Sequence, residues 1–237
     1  DKSDTHDESP ETAEAARFYI LDGSLVDDPD ELFWQDLTDR LPHQVQVGGP
    51  QQAGQFVREI AAEIRQRGSS DDAPPVFFLI DNIGRFRDLR KDDDDFGFGG
   101  DRNRSTTPAK LFVEILRNGP AVGVHTAIWA DTFNNAGRWM SNQTMRELEI
   151  RVAFQMSATD SSNFIDSPIA GKLGQNRALM YLEEVGTHEK FRPYGLPSGE
   201  WLQIVSRQFA GSHEVEEEAD GNPPSEVVDD LSEWTVL

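Results

Sequence analysis

The stretch "PVFFLIDNI" (75–83) constrains this chain more than any other, because five consecutive apolar residues, Val76 to Ile80, end abruptly on Asp81 and then Asn82. A strand this uniformly apolar does not suit a sheet with a wet face, so it predicts a central strand of a parallel sheet covered by helices on both sides. The surrounding pattern agrees. Short β-branched or aromatic runs, "RFYILDG" (17–23), "HQVQV" (43–47), "VGVHTAIWAD" (122–131), "IRVAFQM" (150–156) and "ALMYLEE" (178–184), alternate with helical periodicity. Helices are predicted over 31–41 behind Asp30, and over "GPQQAGQFVREIAAEIRQRG", with Phe56, Val57, Ile60, Ala61 and Ile64 on one face and Gly68 as its stop. Others are expected over 106–119, with Leu111, Phe112, Ile115 and Leu116 inward and Gly119 after the end, over 140–149, and as a short turn over 161–173, with 200–209 closing the folded part. Alternating strands and helices imply right-handed β-α-β units in one sheet, an α/β fold.

Composition limits the function classes. A chain of 237 residues with 37% apolar residues buries one substantial core, and it contains no cysteine. Disulfides, thiolate zinc sites and cysteine nucleophiles are thereby excluded, and a reducing compartment fits. No apolar run reaches the roughly 18 residues of a membrane span, and the acidic start is unlike a secretory signal. The net charge of −21 argues against phosphate backbones, yet residues 1–16 and 208–237 contribute −5 and −9 of it and leave −7 on residues 17–207. Three regions follow: an acidic tail over 1–16, a folded core over 17–207 and a second acidic tail over 208–237, both tails with the composition of disordered, solvated segments.

In an open parallel sheet ligands bind beyond the carboxyl ends of the strands, which is where Asp81 would stand. An aspartate closing an apolar strand is the Walker B pattern, whose carboxylate holds a magnesium ion; the plain alternative is a turn or capping residue. Further blocks extend the likeness. "LRNGPAVGVHTAIWADTF" (116–133), "ELEIRVAFQMSATDSSNFID" (147–166) and "LGQNRALMYLEE" (173–184) follow in order, with "RFYILDG" before them. Over about residues 17–207 the chain resembles the FtsK/SpoIIIE branch of the FtsK–HerA superfamily of P-loop motor ATPases. The resemblance implies a RecA-like, mostly parallel sheet. It also implies ATP and Mg²⁺ as cofactors of the full-length protein, double-stranded DNA as cargo, a homo-hexameric ring, and a cytoplasmic location for this segment, with a parent that could carry a membrane anchor.

The same resemblance shows departures. No G-x-x-x-x-G-K-[S/T] occurs in these residues, and "AGKLGQN" (170–176) has no upstream glycine at the required offset. Without a phosphate cradle, tight ATP binding by this chain alone is not expected. The chain reads as the C-terminal part of a longer ATPase, the last of several tandem domains, or a domain naturally without the loop. Asn82 stands where the family has its catalytic glutamate. An amide cannot accept the attacking water's proton, a loss worth about a hundred- to ten-thousandfold in rate. Asp131 replaces the family's γ-phosphate-sensing glutamine and adds negative charge there. Arg151 matches the arginine of the family's "RIAF" strand and is a candidate trans-acting finger, or else an ion pair at a strand start; Arg117 is a second such candidate. His125 is expected to be a hydrogen-bonded core residue rather than a catalyst.

The stretch 84–105 carries six bases and six acids. It reads either as a loop presenting Arg85, Arg87, Arg90, Lys91, Arg102 and Arg104 to phosphates, with Phe86, Phe96 or Phe98 stacking on bases, or as a zwitterionic disordered loop. Calcium binding by Asp92 to Asp95 is disfavoured, because consecutive side chains cannot converge on one ion. Two functions stay open. The first is the C-terminal part of a DNA-translocating motor with a degenerate catalytic site. The second is a non-hydrolytic scaffold or peptide-recognition domain of a type VII secretion-like motor, whose partner is a secreted protein.

Overall fold

The structure is a computed structural model, and it describes residues 16–24, 33–41, 43–67, 73–91 and 107–214. Of the two acidic tails read over 1–16 and 208–237, residues 1–15 and 215–237 lie outside the described residues, as do the cap Asp30, the stop Gly68 and the stretch 92–106; residues 208–214, expected to be disordered, are instead helical. The chain divides into two compact units, at Pro197 and Ser198. In the first unit the order is β1 (Arg17–Leu21), α1 (Phe33–Arg40), β2 (Gln44–Gly48), α2 (Ala53–Gln66), β3 (Val76–Ile80), α3 (Pro108–Asn118), β4 (Val124–Ile128), α4 (Phe133–Trp139), α5 (Asn142–Arg146), β5 (Ile150–Ala153), α6 (Ala158–Ile165), β6 (Ala178–Leu182) and β7 (Thr187–Phe191). The second unit contributes α7 (Gly199–Glu214), which starts where the Ser198 hydroxyl accepts from the Trp201 N–H.

Strands β1 to β4 form a parallel sheet in the order β2-β1-β3-β4, so β3 is central as its apolar sequence predicts. The molecule is therefore α/β, with a parallel sheet and flanking helices. The expectation of one continuous sheet needs correction. Strands β5, β6 and β7 make a separate antiparallel sheet in that order. The hairpin closing at Gly186, with φ of 65°, sets β6 against β7.

One face of the parallel sheet carries Tyr19, Leu21, Val76, Phe78, Ile80 and Val124, and it packs under Phe56, Val57, Ile60 and Ile64 of α2 and Leu111, Phe112, Ile115 and Leu116 of α3. Both helices were legible from their 3.6-residue periodicity, and α3 starts as its sequence predicts: Pro108 occupies the first turn and the Thr107 hydroxyl accepts from the Lys110 N–H. The opposite face departs from the two-sided covering expected of so apolar a strand. Phe77 and Leu79 are only half-buried. Phe18, Phe77 and His125 lie side by side across three strands, with ring centroids 5.2 Å and 5.6 Å apart, so the rings shield one another. His125 is exposed there, which corrects its reading as a core histidine.

Arg67 staples the sheet to its helices. Its side chain, 6% exposed, pairs with Glu63 at 2.6 Å and donates to the Pro74 carbonyl at 2.6 Å and the Val122 carbonyl at 3.0 Å. One guanidinium thus ties the end of α2 to the approaches of both β3 and β4, and Glu63 also pairs with Arg17 on β1.

Candidate functional site at the carboxyl end of the parallel sheet

Asp81 stands where the sequence places it, directly after β3, at the carboxyl rim of the parallel sheet. Its backbone N–H donates to the Leu21 carbonyl at 2.9 Å, continuing the β1–β3 ladder by one step. Its half-buried side chain accepts from the Trp34 indole N–H at 3.3 Å, so α1 supplies a neutral donor that steadies the carboxylate. The rim is tightly built. A Cβ on Gly23 would lie 2.2 Å from the Asp81 carbonyl oxygen and 3.1 Å from that of Asn82, so only glycine lets the chain leaving β1 pass this close.

Asn82 is left-handed, with φ 55° and ψ 75°, and opens a short 3₁₀ turn over Ile83–Arg85. Asparagine is among the few residues with a side chain that take this conformation readily. The Ile83 N–H donates to the Trp129 carbonyl at 2.9 Å and latches the exit of β3 to that of β4. Asp131 lies in the turn after β4, exposed, and accepts from Asn135 Nδ2 at 2.7 Å while the Thr132 hydroxyl caps α4. The two strand ends bearing Asp81 and Asp131 are adjacent in the sheet.

Magnesium is held through one or two carboxylates together with phosphate oxygens and water. A single half-buried aspartate steadied by an indole suits that chemistry. Among the described residues no three acidic or histidine side chains form a ready-made metal site.

The remaining sequence candidates fall elsewhere. Arg151, 7% exposed, pairs with Glu183, donates to the Phe164 carbonyl at 3.0 Å and lies over the Tyr181 ring at 5.6 Å. Its guanidinium is engaged inside the antiparallel sheet, where it joins β5, α6 and β6. Arg117 is exposed and pairs with Glu147 at 3.1 Å.

The start of the 84–105 stretch is not a loose loop. Ile83, Phe86 and Leu89 are fully buried in two consecutive 3₁₀ turns, and the Trp139 indole donates to the Phe86 carbonyl at 2.7 Å. Phe86 therefore cannot stack on a base; its 0% exposure overturns that expectation. Arg85, Arg87 and Arg90 point outward from these turns, and Lys91 donates to the Gly137 carbonyl at 2.8 Å. Arg102, Arg104, Phe96, Phe98 and Asp92 to Asp95 lie outside the described residues.

Sequence reasoning missed Trp34, Gly23 as a contact of Asp81, and the α4 cap at Thr132. A tryptophan in a short amphipathic helix carries no motif, and the Asp22-Gly23 pair reads as an ordinary turn.

No protein-family model and no curated protein matches the chain. Among solved structures, the DNA-packaging ATPase B204 from Sulfolobus Turreted Icosahedral Virus superposes with a TM-score of 0.49 at 15% identity, covering 75% of this chain and 83% of that one. The genome packaging NTPase B204 from Sulfolobus turreted icosahedral virus 2, in complex with AMPPCP, gives a TM-score of 0.48 at 16% identity, covering 76% and 83%. The fold class rests on strand order and direction rather than on these likenesses.

Proposed function

We propose that this chain is part of an FtsK/SpoIIIE-like motor ATPase in which Asp81 orients a magnesium-bound triphosphate at the carboxyl rim of the parallel sheet. One observation carries the reading: a half-buried carboxylate, steadied by the Trp34 indole, directly follows the central parallel strand of a chain whose 116–133, 147–166 and 173–184 blocks follow that family's order. ATP with Mg²⁺ would supply the driving reaction. Asp81 would hold ligand oxygens, Asn82 would orient a water by hydrogen bonding without taking its proton, and the phosphate cradle would come from residues outside these 237. Double-stranded DNA is the cargo and a homo-hexamer the assembly that this reading carries with it.

Asn82 and Asp131 favour a second reading, a non-hydrolytic scaffold or peptide-recognition domain of a type VII secretion-like motor. A left-handed asparagine in place of a general base, and a carboxylate at the neighbouring strand end, both weaken hydrolysis.

The Trp34 indole N–H is a direct spectroscopic reporter of Asp81. In a ¹H–¹⁵N titration of the chain with millimolar Mg²⁺·ATP, the Trp34 indole resonance is expected to shift saturably, to require Mg²⁺, and to stop responding in Asp81→Asn. A nucleotide response that bypasses Trp34, or persists unchanged in Asp81→Asn, rules the site out. Binding of an extended peptide at this rim with no nucleotide response selects the second reading.

A further inference from the structure

We infer that Arg85 is a phosphate-binding residue of the rim site, its guanidinium donating within the same chain to the terminal phosphate of a nucleoside triphosphate. The inference rests on the reading of Asp81 as the residue that orients a magnesium-bound triphosphate, and it adds a cation to that site. Arg85 ends the 3₁₀ turn that Asn82 opens, and its N–H donates to the Asn82 carbonyl at 3.0 Å. The turn is anchored on either side of the arginine: Ile83 and Phe86 are fully buried, and the Trp139 indole N–H donates to the Phe86 carbonyl at 2.7 Å. From this anchored base the side chain runs along the rim. A Cβ on Gly23 would lie 3.2 Å from Arg85 Cγ, in the same crowded spot where it would meet the Asp81 and Asn82 carbonyl oxygens at 2.2 Å and 3.1 Å. The arginine stem thus crosses the exit of β1 beside the residue proposed to bind the metal.

Charge decides what the guanidinium is free to do. Arg17, Arg65, Arg67, Arg117 and Arg151 are each paired with a glutamate. Arg85 is exposed, and its guanidinium makes no hydrogen bond or ion pair with any described residue. Asp22, the acid beside Gly23, is turned instead to Ser24, accepting from its N–H at 2.9 Å and its hydroxyl at 2.5 Å. Lys91 is engaged with the Gly137 carbonyl, and Arg87 and Arg90 leave from the turn beyond buried Phe86. The rim also carries the carboxylates of Asp81 and Asp131, so a triphosphate brought to it gains from positive charge besides that of one magnesium ion. A guanidinium suits phosphate because its planar fork donates two parallel hydrogen bonds to two oxygens. Magnesium held by a carboxylate of the Walker B kind bridges the β- and γ-phosphate oxygens. A cation whose stem lies against the main chain of that carboxylate therefore meets the terminal phosphate rather than the base. This assignment differs from the sequence expectation, which grouped Arg85 with Arg87 and Arg90 on nucleic acid.

The test uses the full 237-residue chain and the Arg85 Nε–H resonance, identified in ¹H–¹⁵N spectra by its loss in Arg85→Gln. Millimolar Mg²⁺·ATP and magnesium-free inorganic tripolyphosphate are each expected to shift it saturably, and AMP at the same concentration to leave it in place. With binding read at the Trp34 indole, Arg85→Gln is expected to lower the initial slope of the Mg²⁺·ATP titration by about tenfold or more, the loss of a charge-assisted hydrogen bond. Arg87→Gln removes the same charge one turn farther on and is expected to change that slope by less than about twofold. The inference is overturned if the Arg85 resonance responds to neither triphosphate, if AMP shifts it equally, or if Arg87→Gln weakens binding as much as Arg85→Gln. A response to duplex DNA with none to Mg²⁺·ATP would assign Arg85 to a cargo and overturn it as well. Asp81→Asn separates the two readings: the Arg85 response to tripolyphosphate is expected to persist there while the Trp34 response to Mg²⁺·ATP is lost. In the parent chain, a Trp34 response with a silent Arg85 leaves the metal site standing and removes this inference. An Arg85 response with a silent Trp34 keeps the phosphate contact and removes the metal site, and silence at both removes both.

Discussion

Asn82 has two separable reasons to be asparagine, and substitution divides them. Its φ of 55° and ψ of 75° put it in the left-handed region, where a residue with an ordinary side chain costs about 1–2 kcal/mol relative to its right-handed form and asparagine costs less. The conformation is enforced from both sides: Asp81 is bonded to Leu21 and Ile83 to Trp129, so Asn82 cannot relax without breaking a ladder bond. Asn82→Glu and Asn82→Ala should each lose about 1 kcal/mol. Asn82→Gly should stay within about 0.5 kcal/mol of the parent, because freedom from backbone strain offsets the greater entropy of its unfolded chain. With a urea slope of about 2 kcal/mol per molar, the Glu and Ala variants lower the midpoint by about 0.5 M, equivalent to about 2–4 °C in melting temperature. Equilibrium urea unfolding followed by far-UV circular dichroism measures this. A glycine variant less stable than the alanine variant would refute the reasoning, since it would mean that the backbone here is not held left-handed. The catalytic arm runs the other way. On the proposed motor reading, Asn82→Glu would supply a general base at the rim and should raise ATP turnover of the full-length protein despite the lost stability; no rise would count against that reading of Asn82.

Arg67→Met leaves the Pro74 and Val122 carbonyls and Glu63 short of a donor, and should cost about 3 kcal/mol by urea unfolding, whereas Arg65→Ala, which breaks an exposed pair with Glu114, should cost less than about 1 kcal/mol. Gly23→Ala forces a methyl group against the Asp81 carbonyl and should destabilise by about 1–3 kcal/mol while displacing the Trp34 indole resonance. Burial, and secondarily Glu63, raises the Tyr19 hydroxyl above its ordinary value of 10.0. The folded state therefore holds this proton more tightly than the unfolded chain, so the contribution is complete below pH about 10 and is lost as pH rises through the higher folded value; Tyr19→Phe should flatten the alkaline limb of the stability profile.

The regular part of the fold was legible because periodicity and burial coincide there. Phe56, Val57, Ile60 and Ile64 recur at helical spacing and meet the same sheet face as Leu111, Phe112 and Ile115, so local pattern and tertiary packing give one answer. Asp81 was legible for a related reason, since a carboxylate closing an apolar run can only stand at a strand end. Three features escaped. The split into two sheets follows from β5 pairing antiparallel with β6, a long-range choice that strand propensity does not encode. Helix α4, "FNNAGRW", has too little apolar periodicity to announce itself and is held instead by the Thr132 cap and by buried Ala136 and Trp139. The burial of Phe86 and Leu89 was hidden by the arginines and aspartates around them, which suggest solvent when two turns of 3₁₀ backbone send every third residue inward.

The latch between Ile83 and Trp129 ties two neighbouring loops into a single mechanical unit. Displacing the residue before Ile83 is expected to move the main chain of Trp129, a residue 48% open to solvent, so occupancy of the proposed rim site should change Trp129 emission. Read in a Trp34→Phe background, where one of the five tryptophans no longer contributes, a change lost in Trp129→Phe would identify this latch as its source, with no dye attached.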